Sequence, residues 1–325
     1  MRFGYLLLGS LLAASAVVVA CTAAVPNAAP LTLRDAGNND NGNTNPSRTD
    51  PLPASDPVQA DGGKPVGKVY VHTADTLFVF DPLAAKGAGS ITEIALFDCL
   101  VPGDQMIDIA LDRSNNMYGT SFAGFLKISP TDAKCSYIAK ASNLPNSLAF
   151  MPVGTVDATQ EALVGFGFDA ANSANQFLRI DVNTGKTSLI GNLNPPDRSG
   201  QGTQYEASGD IIGLSRGGNR AFVTVKQVPP DGGVASILSD SLAEIDPKTG
   251  AIKTVHGETG FNGLFGLGQW AGQAYAFSGD PDGVDTGKVV KIDLETGVAT
   301  AVAIDAGSPV AWFGAGVTTL APTKP

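Results

Sequence analysis

A six-residue phrase that recurs along the chain constrains its fold more than any other feature. The phrase has the form Ile-Asp-x-x-Thr-Gly and begins at Ile180, Ile245 and Ile292. Two divergent copies precede it, at Phe80-Asp81-Pro82 and Ile128-Ser129-Pro130. The aligned positions 81, 129, 181, 246 and 293 lie 48, 52, 65 and 47 residues apart. A repeat of about 50 residues around one fixed turn indicates a supersecondary unit that is copied several times.

Each copy of this unit predicts four short strands. In the second unit these are expected at Met106–Asp112, Asn116–Ser121, Gly124–Ser129 and Cys135–Ala139, and the same order recurs from Ser147, Asp210 and Asn262. Charged residues make up only 16% of the chain, which contains 39 Gly and 21 Pro, a composition typical of strands joined by tight turns. In such a turn Asp accepts a backbone N–H two residues on, and Gly adopts the positive φ. The repeated Asp residues are therefore predicted to build turns rather than to take part in chemistry.

The two ends of the repeat predict a closed ring. The first unit begins at Lys68–His72 without its own inner strand, and the last segment, Trp312–Leu320, reads as an inner strand with nothing after it. If the C-terminal strand completes the first unit, both sheet edges are hidden. Over residues 67–321 this pattern resembles the β-propellers of the YVTN, NHL and quinoprotein-like group. The resemblance implies an all-β propeller of about five four-stranded blades, with six blades or a β-sandwich as the alternatives.

The N-terminus predicts export. Arg2 is followed by an almost wholly apolar stretch, Phe3–Val19, which ends at Val-Ala-Cys21. This end resembles a bacterial lipobox, which implies that residues 1–20 form a lipoprotein signal peptide and that Cys21 becomes the lipidated first residue. An uncleaved anchor helix and an ordinary signal peptide are the alternatives. By analogy with the enterobacterial sorting rule, Thr22 in place of Asp favours the outer membrane.

The segment between Cys21 and the repeat has the composition of a tether. Its stretch Asp35–Pro51 contains no apolar residue beyond one Ala and two Pro. Such a sequence cannot bury enough surface to offset its chain entropy, so residues 21–66 are expected to be disordered. The sequence thus predicts a lipid anchor in the cell envelope, a spacer, and a propeller domain over residues 67–321.

Charge and rare residues exclude several functions. The formal net charge of −10 argues against nucleic acid as a partner, because such binding depends on Lys and Arg. The chain has only two His, His72 and His256, each expected at a strand end and partly solvated, so a hydrolytic triad or zinc site is not expected. Cys99 and Cys135 are predicted either to form a disulfide or to be buried thiols. The blade assignment places them at opposite ends of neighbouring blades.

Two groups of polar residues are candidate sites. Alignment of the inner strands places five oxygen-bearing residues near the mouth of the central channel: Asp108, Asn146, Ser147, Asp210 and Asn262. Such a group would bind Ca²⁺, a sugar or a peptide, and a central metal held by Asp, Asn and Glu resembles the propeller lactonases. The second group, Asp280-Pro-Asp282-Gly-Val-Asp285, resembles part of a calcium loop but lacks its closing Glu.

The connections between the second and third strands grow longer in the last three blades, at Asp169–Gln176, Val228–Ser236 and Gly279–Gly287. Insertions on one side of a repeat fold usually build a binding surface, with Tyr205, Phe261 and Trp312 as candidate aromatic contacts. The sequence therefore predicts a non-catalytic recognition or scaffold module, without a cofactor, for a protein or glycan. The alternative is a calcium-dependent lactonase or related hydrolase acting at the channel mouth.

Overall fold

The computed structural model describes residues 68–82, 89–168, 174–194, 203–214, 219–229, 239–279, 287–304 and 311–322. The predicted signal peptide, lipidation site and tether lie outside the described residues, as do the group from Asp280 to Asp285 and most of the three long connections. In the described part of the chain no helix is long and apolar enough to cross a membrane.

Twenty strands make up the described domain. In chain order they are β1 (Val69–His72), β2 (Thr76–Asp81), β3 (Ser90–Leu96), β4 (Met106–Leu111), β5 (Met117–Ser121), β6 (Gly124–Ile128), β7 (Cys135–Lys140), β8 (Ala149–Met151), β9 (Ala162–Phe168), β10 (Ala174–Ile180), β11 (Thr187–Asn192), β12 (Gln204–Leu214), β13 (Arg220–Val228), β14 (Ser241–Ile245), β15 (Ile252–Glu258), β16 (Leu264–Trp270), β17 (Gln273–Ser278), β18 (Val289–Ile292), β19 (Ala299–Ala301) and β20 (Gly314–Val317). In the second unit the observed bounds agree with the predicted ones to within one residue.

The strands form five four-stranded antiparallel sheets, which are the blades of a propeller. Blade 1 has the order β20-β1-β2-β3, and blades 2 to 5 each consist of four consecutive strands. The inner strands β4, β8, β12, β16 and β20 pack against one another in a ring. This arrangement confirms the predicted five-blade propeller, so the six-blade and sandwich alternatives are wrong.

The ring is closed by the C-terminal strand, as predicted. β20 pairs with β1 in antiparallel register from Val69 opposite Val317 to His72 opposite Gly314. Beyond β20 the hydroxyl of Thr318 donates to the Asp112 carbonyl, at 2.9 Å, in blade 2. The last described residues therefore join the first blade to the second as well as completing the first.

The repeated phrase forms the turn between the third and fourth strands of a blade. In the first full copy, Asp181 Oδ1 accepts the N–H groups of Asn183 and Thr184 at 2.9 and 3.0 Å, and these hydrogen bonds lower the pKa of Asp181. The glycine that ends the phrase has a φ of 68°, 70° and 76° in the three full copies. This conformation favours glycine, so the turn role predicted for these residues is confirmed.

The same glycines also pack against the preceding blade, which the sequence did not indicate. A Cβ added at Gly250 would lie 2.4 Å from the ring of Phe177 in blade 3, and one at Gly185 would lie 3.1 Å from Phe125 in blade 2. The turn of one blade thus rests on the neighbouring sheet. Each phrase serves both as a turn and as an inter-blade contact.

Cys99 and Cys135 form a disulfide, with Cα atoms 5.3 Å apart. The expectation that they lie at opposite ends is therefore wrong. Successive strands of a sheet are rotated relative to one another, so the beginning of the outer strand β7 reaches the chain that leaves blade 1, and the N–H of Cys135 donates to Asp98 at 3.0 Å. A cross-link over a sequence separation of 36 residues stabilises a fold by about 3–4 kcal/mol in the chain-entropy model.

Candidate functional site

Two of the five predicted channel residues meet at the propeller axis. Asp108 lies on β4 in blade 2 and Asp210 on β12 in blade 4, and their side chains form a hydrogen bond with each other. Their exposed fractions are 1% and 0%. Alignment of the inner strands therefore identified a real pair of carboxyl groups, but the pair lies inside the protein rather than at an open mouth.

Asp108 also holds two backbone groups. Its Oδ1 accepts the N–H of Ile109 at 2.8 Å, and its Oδ2 accepts the N–H of Leu148 at 2.6 Å. Leu148 directly precedes β8, the inner strand of blade 3. The carboxyl group of Asp108 thus links blade 2 to blade 3.

Asp210 repeats this arrangement two blades further on. Its Oδ1 accepts the N–H of Ile211 at 2.6 Å, and its Oδ2 accepts the N–H of Leu267 at 3.1 Å. Leu267 lies on β16, so this carboxyl group links blade 4 to blade 5. Both acids therefore bind backbone groups of the inner strands, where an unpaired N–H would be costly.

His72 brings blade 1 into the same cluster. It ends β1, its exposed fraction is 0%, and its Nδ1 lies 2.7 Å from the Thr73 carbonyl, so the geometry assigns the proton to Nδ1. Its Nε2 lies 4.0 Å from Asp108 Oδ1 and has no hydrogen-bond partner among the described residues. The prediction that both histidines are partly solvated is wrong for His72.

A glycine makes room for this cluster. A Cβ added at Gly314 on β20 would lie 2.2 Å from Asp108 Oδ1 and 2.6 Å from His72 Nε2. Since Cβ atoms do not occur at such distances, only glycine fits at this position without displacing the two buried side chains. The axial cluster of His72, Asp108, Asp210 and Gly314 therefore draws residues from blades 1, 2 and 4.

Burial controls the protonation of the cluster. Loss of hydration raises the pKa of both Asp108 and Asp210, and for Asp108 the neighbouring carboxyl group raises it further. Loss of hydration also lowers the pKa of His72 to about 4. At neutral pH the imidazole is therefore neutral, and a carboxyl proton is retained between the two acids.

The channel next to the cluster is nearly filled. A cavity of about 20 Å³ lies between small inner-strand residues such as Ala110, Ala149 and Ala315, and Thr318 and Thr319 also line it. A site needs roughly 10–15 Å³ to hold one water molecule. The cavity thus has room for about one water and none for an organic substrate.

Asn262 lies in a second polar cluster, where blades 4 and 5 meet. The ammonium group of Lys226 donates to Asn262 Oδ1 at 2.7 Å and lies 3.8 Å from Asp240 Oδ1. Asp240 Oδ2 accepts the N–H of Leu264 at 2.7 Å, and burial raises the pKa of Asp240. Sequence reasoning missed Asp240, because it precedes a third strand and was not part of the inner-strand alignment.

Asn146 and Ser147 contact their own blade. The N–H of Asn146 donates to the Phe166 carbonyl at 3.0 Å, and the hydroxyl of Ser147 accepts the N–H of Phe166 at 2.9 Å. Both contacts fix the chain that enters β8 to the neighbouring strand β9. The five candidate residues therefore divide among three places instead of forming one ring.

The candidate aromatic residues are largely internal. Trp312 is fully buried and makes edge contacts with Phe78 and Phe277, with ring centroids 5.4 and 6.1 Å apart. Tyr205 and Phe261 are half-buried and pack against the apolar clusters of blades 3 to 5. Trp312 is thus a core residue rather than a surface contact.

One group of potential metal ligands occurs in the described ranges: Asp98, Cys99 and Cys135, whose ligand atoms lie within 4.8 Å of one another. Both sulfur atoms belong to the disulfide. A cysteine binds a metal through its thiolate, and neither sulfur is a thiolate while the disulfide is intact. This group therefore does not form a metal site in the oxidised protein.

The known proteins that resemble this chain share little of its sequence. No protein-family model matches the chain, and no curated protein is similar to it in sequence. A chain of the nidogen/laminin complex has a TM-score of 0.44 and 9% identity, over 80% of this chain and 100% of that one. A protein of unknown function from Dyadobacter fermentans DSM 18053 has a TM-score of 0.43 and 8% identity, over 75% of this chain and 76% of that one. The calcium-binding protein regucalcin from Agrobacterium tumefaciens str. C58 has a TM-score of 0.38 and 14% identity, over 75% of this chain and 77% of that one.

Proposed function

We propose that this chain is a lipid-anchored recognition or scaffold module of the bacterial outer membrane, the location that the sorting-rule analogy at Thr22 favours, and that it binds a protein or glycan on the surface of its propeller. One observation carries the proposal: both axial carboxyl groups are buried, and every one of their oxygens already accepts a backbone N–H. A general base must reach its substrate within hydrogen-bond distance. These acids hold blades together instead.

The second candidate is a calcium-dependent lactonase or related hydrolase. The convergence of Asp108 and Asp210 is the observation that favours it, since carboxylate oxygens are the ligands Ca²⁺ prefers. Calcium would have to displace the backbone N–H groups that these oxygens accept. It would also have to remove the proton that the pair retains.

Calcium binding separates the two candidates. We expect the melting temperature of the purified protein to be the same in excess CaCl₂ and in EDTA, because the axial carboxyl oxygens already accept backbone N–H groups. A calcium ion that binds only the folded state, at about 100 times its Kd, would instead stabilise the protein by about 2.7 kcal/mol. MgCl₂ at equal concentration is the control for ionic strength. A rise of several degrees with CaCl₂ alone would favour the enzyme, and its loss in Asp108→Asn or in Asp280→Asn would locate the ion.

The anchor has its own test. Replacing Cys21 by Ala is expected to abolish labelling of the protein by a radioactive fatty acid and to leave a precursor of higher mass, because the sulfur that is acylated before cleavage is lost. The wild-type chain, labelled in parallel, is the control. If the wild-type chain takes up no labelled fatty acid, or if Cys21→Ala takes up as much, the lipoprotein assignment is wrong.

A further inference from the structure

The connection between β3 and β4, residues 97–105, is fastened to the side of blade 2. The disulfide joins its Cys99 to Cys135 at the beginning of β7. Further along, the Tyr137 hydroxyl donates to Asp104 Oδ2, and Asp104 Oδ1 accepts the N–H of Ala123 at 3.0 Å. A covalent bond and side-chain hydrogen bonds therefore hold this long connection in one conformation.

Apolar side chains nevertheless point into solvent here. The exposed fractions are 61% for Leu96, 41% for Val101 and 64% for Phe122, and Pro102 is also exposed. Phe97, between two of them, is only 5% exposed. Contiguous exposed apolar groups on a rigid surface are typical of interaction sites.

Backbone hydrogen bonds bring the segments that carry these residues next to one another. The N–H of Phe122 donates to the Gln105 carbonyl at 3.3 Å, and that of Phe97 donates to the Asp75 carbonyl at 2.9 Å. The turns after β1 and β5 therefore both border the connection. We refer to residues 73–75, 96–105 and 121–123 together as the stapled face.

The stapled face is acidic. It contains Asp75, Asp98 and Asp104 and has no Lys or Arg in its sequence, and the first two are exposed. Two cations border it: Lys134 interacts with Asp98 and forms an ion pair with Asp132 at 3.0 Å, and Lys140 lies 6.0 Å from the centre of the Tyr137 ring. An approaching partner thus meets apolar side chains among three carboxyl groups, with the two cations at the edge toward β7.

We propose that the stapled face is the docking surface for a protein segment in which apolar side chains are flanked by Lys or Arg. This inference rests on the proposed recognition role and names the partner class. Phe122 and its apolar neighbours supply the anchors, the carboxylates select the sign of charge, and the fastened connection has little freedom left to lose on binding. A second copy of this chain, or an anionic lipid surface, would bring like charges together.

The test uses the full-length protein and two pools of short synthetic peptides. Both pools carry Leu, Val and Phe at the same positions, with Lys and Arg between them in one pool and Asp and Glu in the other. Fluorescence anisotropy should show binding of the basic pool only, weakened by added salt. Phe122→Ser should weaken it about ten-fold or more, as truncation of an interface anchor does.

Phe168→Ser is the matched control, because Phe168 is 45% exposed but belongs to blade 3. It should leave binding unchanged. Val101→Ser gives a second variant of the face, and thermal melting checks that each variant folds. Binding of neither pool, equal binding of both, or equal losses in Phe122→Ser and Phe168→Ser would overturn the proposal.

Two further measurements identify a different occupant. Self-association in sedimentation, or binding to vesicles of phosphatidylethanolamine and phosphatidylglycerol, would overturn the proposal if Phe122→Ser abolishes it. A photo-crosslinker at Val153, in the β8–β9 connection, tests the broader role separately. A partner captured there and not at position 122 would leave the recognition role standing and reject only the stapled face.

Discussion

A chain that ends at Ala311 is expected to lose its cooperatively folded propeller. This truncation removes β20, which makes the whole antiparallel pairing with β1, and it removes the fully buried Trp312. The edge of β1 would be exposed, and the inner-strand ring would lose one of its five members. Circular dichroism should show no cooperative thermal transition and a collapsed near-ultraviolet signal.

A chain that ends at Pro322 is the matched control, because it keeps every described residue of the C-terminus. It should melt like the full-length protein. A synthetic peptide of residues 312–322, added to the shorter chain, should restore a transition in proportion to its concentration. If the chain ending at Ala311 melts cooperatively near the wild-type temperature, closure by β20 is not what holds the ring together.

Replacing Asp108 by Ala is expected to be the most damaging single substitution of a polar side chain. The change leaves the buried N–H groups of Ile109 and Leu148 without an acceptor. At about 1–3 kcal/mol for each unsatisfied group, the free energy of unfolding should fall by about 2–6 kcal/mol. Urea denaturation measures the loss, with Asp132→Ala at an exposed turn as the control, for which a change within about 0.5 kcal/mol is expected.

Asp108→Asn separates hydrogen bonding from charge. The amide keeps an acceptor and offers a donor to Asp210, so a smaller loss than in Asp108→Ala is expected. An equal loss in the two variants would show that the hydrogen bonds of this side chain contribute little, and the inter-blade role of Asp108 would then be wrong.

The pH dependence of stability tests the same cluster. Burial raises the pKa of Asp210 to about 8 and raises that of Asp108, so the folded state holds protons that the unfolded state releases above its carboxyl pKa of about 4. This contribution lowers the free energy of unfolding as the pH rises. The pKa of His72 is lowered to about 4, so its contribution increases stability between about pH 4 and 6.5 and is complete above that range.

Between about pH 6.5 and 8 the carboxyl contribution therefore acts without opposition from His72. Stability should decline over this range in the wild type and decline less in Asp108→Asn, which carries one titrating group fewer. Parallel pH profiles for the two proteins would show that the axial carboxyl groups are not protonated in the folded state.

Blade number and ring closure were readable from the sequence for a local reason. The turn chemistry of Asp181 and Gly185 depends on residues within the turn itself, so it leaves a phrase that can be counted. The missing inner strand before Lys68 and the unpartnered strand at the C-terminus then implied each other, since an open sheet edge is unfavourable. Neither step required knowledge of how the blades pack.

The candidate site was only partly readable. Alignment of the inner strands correctly brought Asp108 and Asp210 to the axis, because equal positions in a repeat occupy equal places in a ring. It also aligned Asn262 with them, although that side chain contacts Lys226 where two blades meet. It omitted His72, which ends a second strand and reaches the axial cluster across Gly314.

The sequence by itself determined the repeat, its turns, the closing strand and the acidic character of the chain, because each depends on neighbouring residues or on composition. Only the tertiary structure decided that the axial acids are buried and hold neighbouring blades, and that Cys99 reaches Cys135. It also decided that the segments carrying the exposed residues Leu96, Val101 and Phe122 lie next to one another. These contacts join segments distant in the chain, and the twist and packing of the blades determine which side chains meet.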